Sequence, residues 1–424
     1  MFWRLFYNTL IVPLGWIGFR VVGLFNHKVK HGIRARKNLF RDLQERFHRL
    51  DPGSRRIWFH SSSLGEFEQG KPIIAALKKL HPDIKIIVSF FSPSGYEHSR
   101  NYKLADVITY IPFDSRRNAR KFVGLIDPSI AIMLRYDVWP NHLWALQSRG
   151  TPTFIASATL QSRTARKFPV IRQFYAAMYN CIDFILTVSA DDRRIFESFR
   201  LEHPVLEVIG DTRYDQVLQR SEESKARQLL PEDVVCDRKI LVIGSSWTED
   251  EQELLPACFS LTGKQPEMLV IVVPHEPTVE HLERLENDLN GKATHIRFSE
   301  VNDYHNEKVV IVDSVGVLMP LYQYASVAYV GGGFGTGVHN VLEPASYGVP
   351  IIVGPNHANS QEAVRFVREG AAFVAVNKEE LVLQLERLFE DDDLRRTAGE
   401  KAKKLVQSNS GATERFLSYL EKLL

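Results

Sequence analysis

Continuous runs of β-branched and aromatic residues recur along this chain, each followed by an amphipathic stretch, and that alternation leaves few folds open. The runs are RIWFHSS (56–62), IKIIVSFF (84–91), VITYIPF (107–113), IAIMLRY (130–136), TPTFIASA (151–158) and DFILTVSA (183–190). Strands covered by helices on both faces read as unbroken apolar runs, which is the mark of a parallel sheet. Between the first two runs, Ile73, Ile74, Leu77 and Leu80 are spaced to share one helical face. After EVIGDTRYDQV (207–217) a polar, charged stretch, LQRSEESKARQLLPEDVVCDR, is expected to be a linker with a short helix. The pattern then restarts with KILVIGSS (239–246), MLVIVVP (268–274), KVVIVDS (308–314), SVAYVGGG (326–333) and VPIIVGP (349–355). The expected fold is therefore α/β: two doubly wound, Rossmann-like domains facing across a cleft. Ligands of such sheets bind outside the strand C-termini.

The length of 424 residues agrees with two domains, since one core seldom grows past about 250–300 residues. The expected division is a segment 1–25, a first domain 26–220, a linker 221–238 and a second domain 239–424. The formal charge of +2 gives no global reason to expect nucleic acid. Three scattered cysteines, Cys181, Cys236 and Cys258, suggest neither a disulfide framework nor a zinc site, and fit a reducing compartment.

Residues 5–19, LFYNTLIVPLGWIGF, are uncharged and mostly apolar, and VVGLF extends the run past Arg20. Lys28, Lys30, Arg34, Arg36, Lys37 and Arg41 follow without an acid among them. An apolar segment ahead of a basic one is the layout of a membrane-associated segment whose basic flank stays cytoplasmic. The competing reading is a buried first helix with a solvated basic face. A cleaved signal peptide is disfavoured, because no small-residue cleavage site precedes the basic block.

Three stretches are placed to carry chemistry. In YVGGGFGTGVHNVLEPASYGVPIIVGP (329–355), five glycines follow a strand and precede a helix expected to begin near Asn340, so that loop amides and a helix start face an anion. The loop fits neither the dinucleotide fingerprint nor a P-loop. Glu343, one turn into that helix, is placed either to reach a ribose diol or to complement the helix dipole. VPHEPTVEH (273–281) presents Pro274 and His275 at a strand end, and lacks the second histidine of a zinc-protease motif, so no metal is expected there. GSSWTEDE (244–251) has the composition of a capping box and of a second anion cradle.

HSSSLGE (60–66) sets Glu66 directly after a glycine at a strand-to-helix junction. The glutamate is either a first-turn acid that caps its helix or a base held toward a substrate. The first half has no glycine-rich phosphate loop and the second half has one, so the first is read as the acceptor side. There a carboxylate is placed to deprotonate an attacking hydroxyl. The serines are not a hydrolase elbow, since no G-x-S-x-G occurs.

Together these segments resemble the 3-deoxy-D-manno-octulosonic acid (Kdo) transferases of lipid A biosynthesis, which have the two-domain GT-B glycosyltransferase fold. The family pattern H-S-x-S-x-G-E is similar to HSSSLGE, T-P-T-G to SPSG (92–95), and W-P-N recurs at 139–141. G-G-H-N-P-L-E-x-A is similar to GVHNVLEPA (337–345), and D-T-M-G-E-L, less closely, to DSVGVL (313–318). The resemblance implies Glu66 as catalytic base, and Pro274, His275, Gly316, Asn340 and Glu343 around the CMP of a CMP-Kdo donor. It also implies a lipid A precursor as acceptor, inversion, no metal and no cofactor, and residence at the cytoplasmic face of the inner membrane. The chain departs from the family pattern at RYD (135–137), where E-T-E is usual, at SATLQ (157–161) for N-A-R-L-S, and at PHEPT (274–278) for P-R-H-P-E. Two other readings stay open: a GT-B enzyme using a UDP- or GDP-sugar on a soluble acceptor, and a membrane-attached nucleotide-binding scaffold without catalysis.

Overall fold

Fourteen strands form in the computed structural model, which describes residues 2–51, 53–160, 166 and 168–424. The chain divides into two units, Met1–Gln216 with Ser410–Leu424, and Val217–Asn409.

In the first unit the strands are β1 (Arg56–Ser61), β2 (Lys85–Phe90), β3 (Val107–Tyr110), β4 (Ile130–Leu134), β5 (Thr153–Ala158), β6 (Phe184–Thr187) and β7 (Val205–Val208). They pair in parallel in the order β3-β2-β1-β4-β5-β6-β7. The order reverses between β1 and β4, and this is the point at which doubly wound sheets bind ligands. Ile57, Phe59, Ile86, Val88 and Ile132 face one buried layer, and Trp58, Ile87, Ala131 and Met133 the other. That two-sided burial is why the strands show no polar alternation. The helix Leu64–Leu80 buries Ile73, Ile74 and Leu77, whereas Leu80, expected on the same face, is 53 % exposed in the last turn.

The second unit repeats the scheme with β8 (Lys239–Ser246), β9 (Met268–Pro274), β10 (His295–Arg297), β11 (Val309–Ile311), β12 (Val327–Val330), β13 (Ile351–Val353) and β14 (Ala372–Val374). Their parallel order is β10-β11-β9-β8-β12-β13-β14, so the reversal falls between β8 and β12.

The division departs from the expected one at both ends of the second unit. Residues 221–238 are no free linker: Leu230 and Val234 are buried in the second unit's core. The helix Ala412–Leu420, expected in the second domain, belongs to the first unit. There Phe416, Leu417 and Leu420 are buried beneath the first sheet, with Phe416 5.5 Å from Phe154 between ring centres. Asp215 fixes the return by accepting the Gly411 and Thr413 amides.

Phe2–Phe25 forms one long helix with a π-type turn at Tyr7–Ile11. It is not a buried first helix. Leu14, Trp16, Ile17, Val21 and Leu24 are exposed. One edge is pinned to the first unit, through Tyr7 to Asp114 (2.9 Å), Asn8 to Asn141 (3.0 Å), and Phe19 against Phe91 and Phe113.

Candidate functional site

Both clusters of chemistry-bearing side chains lie where the strand order of their own sheet reverses. In the first unit, β1 ends in Ser61 and the chain turns through Ser62 and Ser63 into the helix Leu64–Leu80. Ser63 is the N-cap, its Oγ accepting the Glu66 amide at 3.4 Å, and Glu66 Oε2 reaches back to accept the Ser62 amide at 2.8 Å. This is a shifted capping box. The other carboxylate oxygen, Oε1, has no hydrogen-bond partner among the described residues and is not sealed from solvent. The two readings of Glu66 are thus compatible: one oxygen caps and the other is available. The side chain is 5 % exposed, held in one orientation.

Beside it lies a group that sequence reasoning passed over. His60, fully buried on β1, holds the Asp137 carboxylate through Nε2 at 2.8 Å. On its other side Nδ1 meets Ser89 Oγ at 2.8 Å, and Ser89 itself accepts from Trp58 Nε1 at 2.8 Å. Nδ1 also lies 3.1 Å from the Ser89 carbonyl, and Trp139 Nε1 is 2.9 Å from Nε2, so the donor and acceptor roles of the His60 ring follow its tautomer. Asp137 accepts further from Trp139 Nε1 at 3.0 Å and from the Ser62 hydroxyl. Ser62 thus touches both carboxylates, one through its amide and one through its hydroxyl.

The electrostatics of the pair diverge. Burial raises the Glu66 carboxyl above its ordinary range and the nearby Asp137 charge raises it further, against the Ser62 amide, Arg135 and His60. Burial would also raise Asp137, but the hydrogen bonds from His60, Ser62 and Trp139 outweigh it and hold that carboxyl below its usual value. Two adjacent carboxyls with opposed shifts divide the roles of proton acceptor and fixed charge. Arg135 takes φ +63° at the end of β4 and Ser157 φ +51° at the end of β5. Such conformations in non-glycine residues cost about 1–3 kcal/mol each and gather at functional sites. The SPSG loop closes over the same turn: Ser92 bonds the Ser62 carbonyl at 3.0 Å, and a side chain at Gly95 would meet Leu64 N at 3.3 Å. Of the departing SATLQ segment, Gln161 lies outside the described residues.

In the second unit the glycine loop is built around a buried acid. Asp250 is fully buried and accepts Tyr329 OH (2.7 Å), the Gly332 amide (2.7 Å), the Phe334 amide (3.2 Å) and the Trp247 amide (3.0 Å). The amides of Gly331, Gly335, Gly337 and His339 bond backbone carbonyls. Much of the expected anion cradle is therefore already committed to a carboxylate of this chain. Only glycine fits the close approaches: a Cβ at Gly331 would sit 2.2 Å from Ser245 O, and one at Gly332, with φ +89°, 2.2 Å from Gly337 O. The GSSWTEDE segment is a cap of a different kind from the hydroxyl-led one expected. Its acids point inward, Asp250 to the loop and Glu251 to Ser246, His281 and Arg284.

The loop presents three rings at its mouth. His275, the residue after β9, lies 4.4 Å from His339 in a stacked arrangement and 4.6 Å from Trp247, and Trp247 Nε1 donates to His339 Nε2 at 2.7 Å. Burial and the neighbouring His275 lower the His339 pKa. Pro274 ends β9, and the His275 amide ties it to Ser246 O at 2.9 Å. Asn340 donates to Glu343 at 3.2 Å and accepts the Leu342 amide, so the helix starts at Leu342, two residues beyond expectation, and runs only to Tyr347. The ring stack and the Asn340–Glu343 bond thus link Pro274, His275, Asn340 and Glu343 at one end of the sheet. Gly316 lies on the loop after β11 with φ +79°, and no hydrogen bond among the described residues ties it to the other four.

A family model described as 3-deoxy-D-manno-octulosonic-acid transferase (kdotransferase) matches residues 41–216. The chain is 26 % identical to the 3-deoxy-D-manno-octulosonic acid transferase of Haemophilus influenzae, over all of this chain and 99 % of that protein. It is 25 % identical to that of Aquifex aeolicus, over 87 % of this chain and 92 % of that protein. Among solved structures, the UDP-GlcNAc 2-epimerase of Neisseria meningitidis bound to UDP-GlcNAc superposes with a TM-score of 0.60 at 15 % identity, covering 87 % of this chain and all of that one. That likeness concerns the fold: two doubly wound sheets in one chain.

Proposed function

We propose that this chain, similar over its length to 3-deoxy-D-manno-octulosonic acid transferases, is a member of that GT-B glycosyltransferase family serving lipopolysaccharide biosynthesis and moves Kdo from CMP-Kdo to lipid IVA with inversion and without metal. The observation that carries this reading is the half-capped Glu66, oriented by the Ser62 amide and left with one available oxygen. Glu66 Oε1 takes the proton of the acceptor hydroxyl. The resulting oxygen attacks the anomeric carbon of Kdo while the bond from that carbon to the CMP phosphate breaks, and CMP leaves with the bonding pair. Attack opposite the leaving group inverts the centre. A raised carboxyl pKa makes Glu66 a stronger base than an exposed glutamate, and Asp137 stays ionised beside it.

His275, Asn340 and Glu343 are assigned to the CMP moiety, the rings facing the base or phosphate and Glu343 a ribose hydroxyl. Glu343→Ala should weaken CMP binding about 10- to 100-fold, the equivalent of one lost charged hydrogen bond of roughly 1.5–3 kcal/mol. Calorimetric titration reads this directly, and an unchanged affinity removes Glu343 from the site. CMP should also bind more tightly than UDP or GDP. Mass spectrometry of lipid IVA incubated with CMP-Kdo and the protein tests the reaction itself. Activity abolished by EDTA and restored by magnesium would refute the metal-free account.

The helix Phe2–Phe25 is assigned to the membrane surface on the cytoplasmic side, lying along it, since its edge is pinned to the first unit from Tyr7 to Phe19. Leu14→Asp with Ile17→Asp should cut partition into vesicles by at least tenfold, because each buried aliphatic side chain is worth about 1.5–3 kcal/mol. Sedimentation with liposomes measures it; undiminished pelleting would remove the helix from the membrane contact.

A further inference from the structure

A cavity of about 520 Å³ opens on the first unit between the helix Phe2–Phe25, the segment Ile33–Phe40 and the loop after β3. Its walls are apolar, with Trp16, Phe19, Phe40 and Phe113 prominent, and its rim carries Arg20, Arg34, Arg36 and Lys37. No carboxylate lines it. Arg20, Arg34 and Lys37 are exposed and have no acidic partner among the described residues, Arg20 resting on the Trp16 ring at 4.8 Å. Arg36 is half-buried and bonds the carbonyls of Gly32, Phe91 and Ile111, so its charge is hydrogen-bonded but not neutralised. Four like charges around one apolar hollow repel each other unless an anion joins them.

A second cavity of about 370 Å³ shares Phe19, Arg36 and Phe91 with the first and continues to Pro93 and Ser94. Phe91 stacks on Trp139 at 4.8 Å, and Trp139 donates to Asp137. One aromatic pair thus separates the cationic hollow from the Glu66 cluster. The helix Phe2–Phe25 also carries the exposed apolar residues Leu14, Ile17 and Val21. A small inorganic anion would leave the apolar walls in water; a molecule with both phosphate and hydrocarbon satisfies rim and walls together.

We propose that this cavity holds the phosphate-bearing head of the acylated acceptor, with Arg34 and Lys37 on a phosphomonoester and an acyl chain along Trp16 and Phe19. The inference rests on the reading above that the acceptor is a lipid, and adds where that lipid is recognised and by which of its groups.

The test uses the full chain in zwitterionic micelles with no donor present, titrated with a phosphorylated, acylated glucosamine disaccharide and with its dephosphorylated counterpart. Arg34→Gln with Lys37→Gln should weaken binding of the phosphorylated form about 10- to 100-fold and leave the dephosphorylated form unchanged. CMP affinity should stay at the wild-type value, which verifies folding. Equal binding of the phosphorylated form by variant and wild type overturns the proposal. So does a variant that loses only its pelleting with phosphatidylglycerol vesicles, because the cations then read the bulk acidic surface. If the wild type binds neither disaccharide, the lipid-acceptor reading itself falls. Donor assignment does not enter the measurement.

Discussion

Glu66→Gln should lower the single-turnover rate by about 10²–10⁴-fold, the usual worth of general-base assistance. Glutamine keeps the oxygen that accepts the Ser62 amide, so the helix start stays capped and the melting temperature should hold. CMP affinity should hold as well, since the residues proposed for the donor belong to the other unit. Were Glu66 only a cap, the rate would stay within threefold or so of wild type, far short of that range. The pH profile adds an independent reading. Glu66 acts as a base only when ionised, so the rate falls as pH drops through its pKa, and burial together with Asp137 places that limb above the ordinary carboxylate range. Asp137→Asn removes the neighbouring charge and should move the limb to lower pH. A limb that stays put would show that Asp137 does not act on Glu66.

Asp250→Ala should produce the largest loss of stability. The substitution strands the Gly332, Phe334 and Trp247 amides and the Tyr329 hydroxyl, all grouped on one buried carboxylate. Each unsatisfied buried group costs about 1–3 kcal/mol, so a net loss of at least about 3 kcal/mol is expected even after relaxation. For a domain of this size that corresponds to about 6–12 °C in the melting temperature of the second unit. CMP affinity should fall with it, because the loop that carries His339 and Asn340 loses its internal support. A shift below about 2 °C would mean the loop is held by its glycine backbone contacts alone.

The strands were legible because both faces of each sheet are buried, which writes an unbroken apolar run into the chain. β7, β10 and β14 escaped for the converse reason: they are three- or four-residue edge strands, and β7 leaves Val205 and Val208 about 40 % exposed. Glu66 stood out by its position after a glycine. His60 sat in the same motif unremarked, because one histidine in an apolar strand looks like core. Asp137 was visible only as a departure from a pattern, and its meaning depends on the pairing of β1 with β4, which brings it to His60, 77 residues away along the chain. The buried acid of the glycine loop was hidden similarly: Asp250 precedes Gly332 by 82 residues, and in the sequence it is one of several acids in GSSWTEDE with nothing to single it out.

The return of Ala412–Leu420 to the first unit has a consequence for the order of synthesis. Domains ordinarily fold as they emerge, the N-terminal one first. Here β1–β7 leave the ribosome early, yet the face carrying Phe154 and Phe184 stays uncovered until Phe416 and Tyr419 arrive. Val217–Asn409 is contiguous and can close upon itself in the meantime. The unit made first is finished last, and throughout that interval Phe154 and Phe184 lack the cover of the C-terminal helix. A nascent chain arrested just short of residue 412 would carry a complete second unit and an incomplete first one.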